Sequence, residues 1–132
     1  MLNPRRLFLQ WLPTLPLLGF ITPPALAQPV SRKLLMNQFR VAGLAYYDVK
    51  TVIYAMQPGA ALRLVAEPTN RHDEFAVELW HGEHKLGYVP RSDNRHLSRL
   101  LQQGAMLTAE VWEVEPDATV WEMVRAKVYL LT

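Results

Sequence analysis

EPTNRHDEFAVELWHGEHKLGYVPR, residues 67–91, is the stretch that decides the fold. Residues 67–73 contain Pro, Asn and Asp, which form turns because Pro fixes φ and the other two hydrogen-bond nearby backbone. Residues 76–80 alternate apolar and polar side chains, which predicts a strand. The Gly-Glu pair at 82–83 fits a two-residue turn of type II′, which needs Gly first. The apolar pattern resumes at 86–89, so the stretch predicts a turn followed by a β-hairpin.

The residues before this hairpin predict two further strands. Residues 39–47 form the first of them, in which Gly43 interrupts the alternation and indicates a bulge or a close backbone approach. Residues 49–56 are compatible with a short helix or a loop. Residues 62–66 alternate again and lead directly into the turn.

After the hairpin the apolar period changes to that of a helix. Ser92 is a plausible N-cap, leucines then recur at helical spacing, and Gly104 suits a left-handed stop. Strands are expected at 107–114 and 120–131. Short antiparallel strands with two short helices predict a mainly β fold, a small OB-like β-barrel.

Residues 1–27 have the parts of a secretory signal peptide: a basic start, an apolar stretch and small residues at 25–27. Arg5 and Arg6 precede Leu-Phe-Leu-Gln, which resembles a twin-arginine export signal. An uncleaved anchor is the alternative, but the apolar stretch is shorter than the roughly 20 residues a span needs. We therefore expect a periplasmic or secreted protein, exported by either route. Translation starting near Met36 would instead leave the protein in the cytosol.

Composition limits the chemistry of the remaining chain, in which we expect a poorly ordered lead-in at 28–38 and one domain at 39–132. The chain has 14 Lys and Arg against 12 Asp and Glu, so removing Arg5 and Arg6 leaves 12 against 12. A neutral mature chain has no overall basic field to attract nucleic acid, and any anion site must be local. The chain has no cysteine, which excludes disulfides, thiolate nucleophiles and Cys-ligated metal sites.

Three blocks of sequence and a helix end resemble the HIRAN domain, over residues 39–131. They are GLAYYD at 43–48, EPTNRHD at 67–73 followed by Ala-Val, KLGYVPR at 85–91, and the helix end LLQQG at 100–104. The resemblance implies an OB-like barrel that, in fork-remodelling ATPases, binds the free 3′ end of single-stranded DNA. Those proteins also carry SNF2 ATPase and zinc modules. This chain has neither a GxxxxGK[ST] loop nor cysteine, so we expect a non-catalytic module without a cofactor.

The resemblance also implies a set of ligand-contacting residues: Tyr46, Tyr47, His72, Asp73, Tyr88 and Arg91. In the family's pattern the first tyrosine stacks on the terminal base, the aspartate receives the 3′-hydroxyl, and the basic residue lies near a phosphate.

Three positions depart from the DNA-binding members of the family. His72 replaces a tyrosine, Tyr88 replaces a histidine, and Ala45 replaces a DNA-contacting arginine. The missing arginine weakens the expectation of tight end binding.

The same residues make chemical sense without the family. Stacking on an aromatic ring contributes about 1–3 kcal/mol per base. An ionised Asp73 accepts a hydroxyl but repels a terminal phosphate, so it would select a free hydroxyl end. Arg91 lies beside a predicted helix N-terminus, where the guanidinium and the helix dipole favour one phosphate.

Structural roles remain open for these residues, since the tyrosines also suit packing and Asp73 also suits bracing the turn. His81, Glu83 and His84 at the hairpin tip would hold a metal only weakly.

Three functions follow, in order of preference. The first is a nucleic-acid end-binding module. The second is an envelope binding or scaffold module that uses the same pocket for a non-nucleic ligand or a protein. The weakest is an acid-anhydride or phosphoester hydrolase, because no nucleophile accompanies the acidic cluster around residues 67–74.

Overall fold

The computed structural model describes residues 31–132 and, ahead of them, Gly19 alone; the expected signal peptide at 1–27 otherwise lies outside the described residues. Within 31–132 the chain forms one six-stranded antiparallel sheet with two helices and a 3₁₀ turn at Leu44–Tyr46. The elements are β1 (Lys33–Arg40), α1 (Val49–Val52), β2 (Ala61–Ala66), β3 (Val77–His81), β4 (His84–Tyr88), α2 (Arg91–Gln102), β5 (Leu107–Val114) and β6 (Val124–Leu131).

The strands lie in the order β1-β6-β5-β2-β3-β4. Alternation along each central strand places apolar side chains on one face: Ala109 and Val111 from β5, and Val124, Ala126 and Val128 from β6, are all buried. This confirms a mainly β fold in which one face of the sheet forms the core.

The sheet is not closed by a complete ladder. Register shifts in the β1–β6, β5–β6 and β3–β4 pairs mark bulges, which increase local twist. The two outer ends of the sheet meet in one isolated bridge, in which Ala42 and Tyr88 exchange backbone hydrogen bonds of 2.9 Å. This open arrangement is consistent with the expected OB-like fold.

Gly87 makes that bridge possible. Its φ is 156°, and a Cβ at this position would collide with the backbone oxygen of Ala42. Only glycine allows the end of β4 to approach the segment after β1 this closely.

The expected first strand, 39–47, is wrong in its position. The strand begins at Lys33, so the expectation of a poorly ordered lead-in fails for 33–38, and the strand ends at Arg40. Gly43 then adopts φ 74° and turns the chain into the 3₁₀ turn. The two tyrosines therefore lie in and just after that turn and not in a strand.

Most other elements lie where the sequence predicts them. The hairpin turn falls at 82–83, and Gly104 has φ 85° after α2. The Ser92 cap is wrong, because α2 begins at Arg91 after Pro90, and Ser92 Oγ instead donates to Asp93 Oδ2 at 2.7 Å. The last strand starts at Val124 and not at 120. No helix within 31–132 is both long and apolar enough to cross a membrane.

Candidate functional site

An open pocket of about 500 Å³ lies where the 3₁₀ turn, the 67–73 turn, the end of β4 and the start of α2 come together. All the ligand-contacting residues proposed from the sequence line it: Tyr46, Tyr47, His72, Asp73, Tyr88 and Arg91. Asn70 and Asn94 line it as well. Its volume lies within the range of about 300–1,000 Å³ found for small-ligand sites.

The two adjacent tyrosines occupy different environments. Tyr46 is 77% exposed, whereas Tyr47 is 37% exposed. Tyr47 packs edge-on against Tyr88, with ring centroids 5.9 Å apart at 63°. Tyr46 therefore has a free ring face beside the pocket, and Tyr47 is partly committed to packing.

A polar network reaches the pocket through Tyr88, which lines it; we call the network's members, Glu67, Glu78, Lys85 and Tyr88, the floor. Lys85 Nζ donates to the Tyr88 hydroxyl at 2.8 Å, and that hydroxyl donates to Glu67 Oε2 at 3.1 Å. Glu78 Oε2 lies 3.9 Å from Lys85 Nζ. The ammonium also lies 4.4 Å from the centroid of the Tyr47 ring. The floor thus holds the aromatic side of the pocket in place through charge-assisted bonds.

The pKa values of three groups of this network are shifted by their surroundings. Hydrogen bonding from Asn70 lowers the pKa of Glu67, with burial opposing and Tyr88 and Lys85 assisting. Burial alone would lower the pKa of Lys85, but the hydrogen bond to Tyr88 and the attraction of Glu78 raise it above its ordinary value. Burial raises the pKa of Tyr88 to about 12. At neutral pH Glu67 is therefore a carboxylate, Lys85 an ammonium and Tyr88 a neutral phenol.

The 67–73 turn is organised by Asn70, whose Oδ1 accepts the backbone N–H groups of His72 at 2.9 Å and Asp73 at 3.0 Å. Its Nδ2 donates to Glu67 Oε2 at 3.0 Å. This is the Asx-turn chemistry that makes asparagine a turn former. The turn is thereby tied to the floor.

Asp73 is braced from both sides and still has acceptor capacity. Its Oδ1 accepts the Phe75 N–H at 2.9 Å, and its Oδ2 accepts the Asn94 amide at 2.7 Å. A carboxylate offers about four acceptor positions, so further hydrogen bonds can be accepted. The expected bracing role is present, and the carboxylate also lines the pocket.

Arg91 is the first residue of α2 and closes the opposite side of the pocket. Its Nη2 donates to the His72 backbone oxygen at 3.1 Å, and its Nε lies 3.8 Å from Asp73 Oδ2. The side chain is nevertheless 75% exposed. We call Tyr46, His72 and Arg91 the rim, because all are exposed around the mouth.

Sequence reasoning missed the residues that support the site. Asn94 is 3% exposed on α2 and reaches back 21 residues to Asp73, while Lys85 joins two tyrosines. Asn94 could have been found from the sequence, because it lies on the apolar side of the helix, three residues before Leu97. A polar residue on that side must find a partner.

The other positions that the sequence suggested as ligand contacts do not line the pocket. Ala45 is exposed in the 3₁₀ turn, so no guanidinium occupies the position where the family pattern has arginine. His81 and His84 face each other across the hairpin turn, and His84 lies 3.6 Å from Asp48. Within residues 31–132, no three His, Asp or Glu side chains come together as a metal site.

The fold and pocket define a small β module with an open, ligand-sized cavity. The chain belongs to the HIRAN domain family, whose model matches residues 35–131. A comparison with curated proteins finds no match.

Two solved structures share the fold. The crystal structure of a Lactobacillus plantarum protein from a structural genomics consortium has a TM-score of 0.67 and 24% identity, and the match covers 76% of this chain and 97% of that one. The crystal structure of the HIRAN domain of human HLTF has a TM-score of 0.55 and 15% identity, covering 75% of this chain and 78% of that one. At these identities the likeness concerns the fold.

Proposed function

We propose that this protein is a non-catalytic module that binds the 3′-hydroxyl end of a DNA single strand. The observation that carries the proposal is the joint placement of Tyr46, Asp73 and Arg91 around one open pocket. Family membership adds support, because the resemblance to HIRAN domains implies end binding at these positions.

Each of the three side chains suits one part of a terminal nucleotide. The exposed ring of Tyr46 offers a stacking face for a base. The Asp73 carboxylate accepts a sugar hydroxyl and disfavours a terminal phosphate. Arg91 offers a planar donor set to the next phosphate at the N-terminus of α2.

A binding role without catalysis is supported by the floor. A nucleophilic lysine needs a lowered pKa, whereas the pKa of Lys85 is raised by Tyr88 and Glu78 against the effect of burial. Lys85 is therefore suited to holding Tyr47 and Tyr88 in place and poorly suited to covalent chemistry.

The test is fluorescence anisotropy of the full chain with labelled single strands that end in a 3′-hydroxyl or a 3′-phosphate, and with a blunt duplex. We expect roughly tenfold tighter binding of the 3′-hydroxyl strand, about the effect of one carboxylate–phosphate repulsion near a protein surface. Asp73→Asn should remove this preference, and Asp117→Asn, at an exposed position away from the pocket, should not.

A second pair of variants tests stacking. Tyr46→Ala should weaken binding about tenfold or more, whereas Tyr54→Ala removes an 80% exposed tyrosine that does not line the pocket and should leave binding unchanged. Binding that is equal for both ends and insensitive to Asp73→Asn and Tyr46→Ala would rule out the proposal.

A second candidate is an exported module that uses the same pocket for a non-nucleic ligand or protein. It is favoured by the leader at 1–27 and by the equal numbers of acidic and basic residues that would follow its removal. Cell fractionation and N-terminal sequencing would test export: a periplasmic chain starting at Gln28 supports it. Replacing Arg5 and Arg6 by lysine would then distinguish the two export routes.

A further inference from the structure

One face of α2 carries Arg91, Arg95 and Arg99 at intervals of four residues, and all three are exposed. We call them the arginine row. Residues four apart lie one above another on a helix. At a rise of about 1.5 Å per residue, the row extends about 12 Å away from the pocket.

Phe75 supports the two arginines that lie farther from the pocket. The guanidinium carbons of Arg95 and Arg99 lie 4.8 and 5.4 Å from the centroid of its ring. Phe75 is half-buried, and its N–H is bonded to Asp73. A guanidinium held over an aromatic ring still has N–H groups to donate to an oxygen ligand, so the contact with Phe75 pre-orders both arginines.

The surface beside the row contains three depressions whose linings overlap. A cavity of about 180 Å³ lies between Phe75, Arg91 and Arg95 and shares Asp73 with the main pocket. A groove of about 360 Å³ continues from Phe75 to Arg99. The three cavities thus follow one another along α2 through shared lining residues, and we call them together the path.

The charge along this path is locally positive, although the domain is neutral overall. Among the described residues, neither Arg95 nor Arg99 forms an ion pair, and Arg91 has only its 3.8 Å contact with Asp73. Glu74 lines the far groove beside Arg99 and is the one carboxylate there. Three guanidinium groups thus meet the requirement for a local anion site.

We propose that the arginine row binds successive backbone phosphates of a DNA single strand whose 3′ end lies in the pocket. The strand then runs with its 5′ direction towards the C-terminal end of α2. Three phosphates join four nucleotides, so the site extends from one nucleotide to about four. This inference rests on the proposed end binding, and the row supplies the charge that Ala45 lacks.

The experiment measures binding of thymidine oligonucleotides with two to eight nucleotides and a free 3′-hydroxyl to the full chain, at several salt concentrations. Affinity should rise up to about four nucleotides and then level off. The slope of log K against log salt is negative, and each lost phosphate contact reduces its magnitude by about 0.7. Arg95→Gln with Arg99→Gln should therefore reduce the magnitude by about 1.4 for a six-nucleotide strand. Binding of the dinucleotide should change less than about twofold.

The matched control is Arg63→Gln with Lys127→Gln. These cations also lie over aromatic rings, those of Trp80 at 5.3 Å and Trp112 at 4.8 Å, and neither lines the path. The control removes the same net charge and the same kind of contact, and the salt slope should stay at its original value. Arg95→Lys with Arg99→Lys keeps both charges, so the dependence of binding on salt should remain close to that of the unaltered protein. This holds even if loss of the arginine contacts with Phe75 alters stability.

The outcomes separate the two proposals. Suppose that the dinucleotide binds with a 3′-hydroxyl preference, but that the Arg95→Gln, Arg99→Gln variant binds oligonucleotides of every length as tightly as the control variant does. The arginine row is then excluded, and the pocket proposal stands. If the unaltered protein binds no oligonucleotide, both proposals fail. Thermal melting of each variant identifies a loss of binding that is due to unfolding.

Discussion

The floor and the rim of the pocket differ in how their side chains are satisfied. In the floor, Lys85 and Tyr88 are bonded to each other and to acidic partners inside the fold. On the rim, Tyr46 is 77% exposed and the Arg91 side chain is 75% exposed. The floor uses its bonding capacity within the protein, whereas the rim keeps its capacity for a ligand.

This difference separates stability from binding. Groups that are half-buried and mutually bonded are costly to disturb, because a lost partner leaves a desolvated polar group. Exposed groups with few partners contribute little to folding. Substitutions below the pocket should therefore lower the free energy of unfolding, and substitutions around its mouth should chiefly alter ligand binding.

The largest expected effect comes from Gly87→Ala, which would damage the floor through the backbone. The new Cβ would meet the Ala42 oxygen and break the bridge beside Tyr88. We expect a loss of about 3 kcal/mol in the free energy of unfolding, measured by urea denaturation.

Gly82→Ala is the control for backbone conformation. Gly82 also has a positive φ, 57°, but nothing lies within 4 Å of an added Cβ. Its expected cost is about 1 kcal/mol, from the left-handed conformation alone. Equal losses in the two variants would show that the contact with Ala42 has no part in the effect.

An intermediate effect is expected for Tyr88→Phe, which keeps the ring and removes the hydroxyl between Lys85 and Glu67. Losing these bonds should cost about 1–2 kcal/mol at pH 7. Because burial raises the pKa of Tyr88 to about 12, the folded state retains its proton where the unfolded chain loses it. This contribution to stability is full below about pH 10 and is lost as pH rises towards about 12.

The phenylalanine variant should therefore show a shallower fall in stability between about pH 10 and 12, and the contribution of Lys85 should shrink as well, because its hydrogen bond to Tyr88 is lost. Tyr54→Phe, at an 80% exposed tyrosine, is the matched control and should follow the unaltered protein. A decline as steep in Tyr88→Phe as in the control would contradict a special role for the buried phenol.

The sequence correctly predicted the hairpin and α2 but not the position of the edge strand β1. The hairpin and α2 were found because their apolar residues recur at the period of the element. β1 was misplaced because Leu34 and Leu35 are 47% and 52% exposed, so the start of the strand has no buried alternating face. Gly43 was noticed as a break, but its φ of 74° ends the extended chain instead of making a bulge.

For the site, the sequence indicated which residues meet but not what supports them. The six proposed residues lie on three segments that converge on one pocket, and their motifs are local. Support depends on pairs such as Asn94 with Asp73, separated by 21 residues, and only the fold brings these together. Whether the pocket binds a DNA end remains the prediction tested above.

The smallest expected effect on stability distinguishes two neighbours, Tyr46 on the rim and Tyr47 next to the floor. Tyr46→Ala should change the free energy of unfolding by less than about 0.5 kcal/mol, because the ring is 77% exposed. Tyr47→Ala should cost about 1 kcal/mol, because it removes the edge contact with Tyr88 and the ring beside Lys85. Urea denaturation of both variants, with anisotropy on the same samples, measures stability and binding together. Tyr46→Ala that binds poorly at full stability would sharpen the division between rim and floor, whereas equal destabilisation by the two variants would remove it.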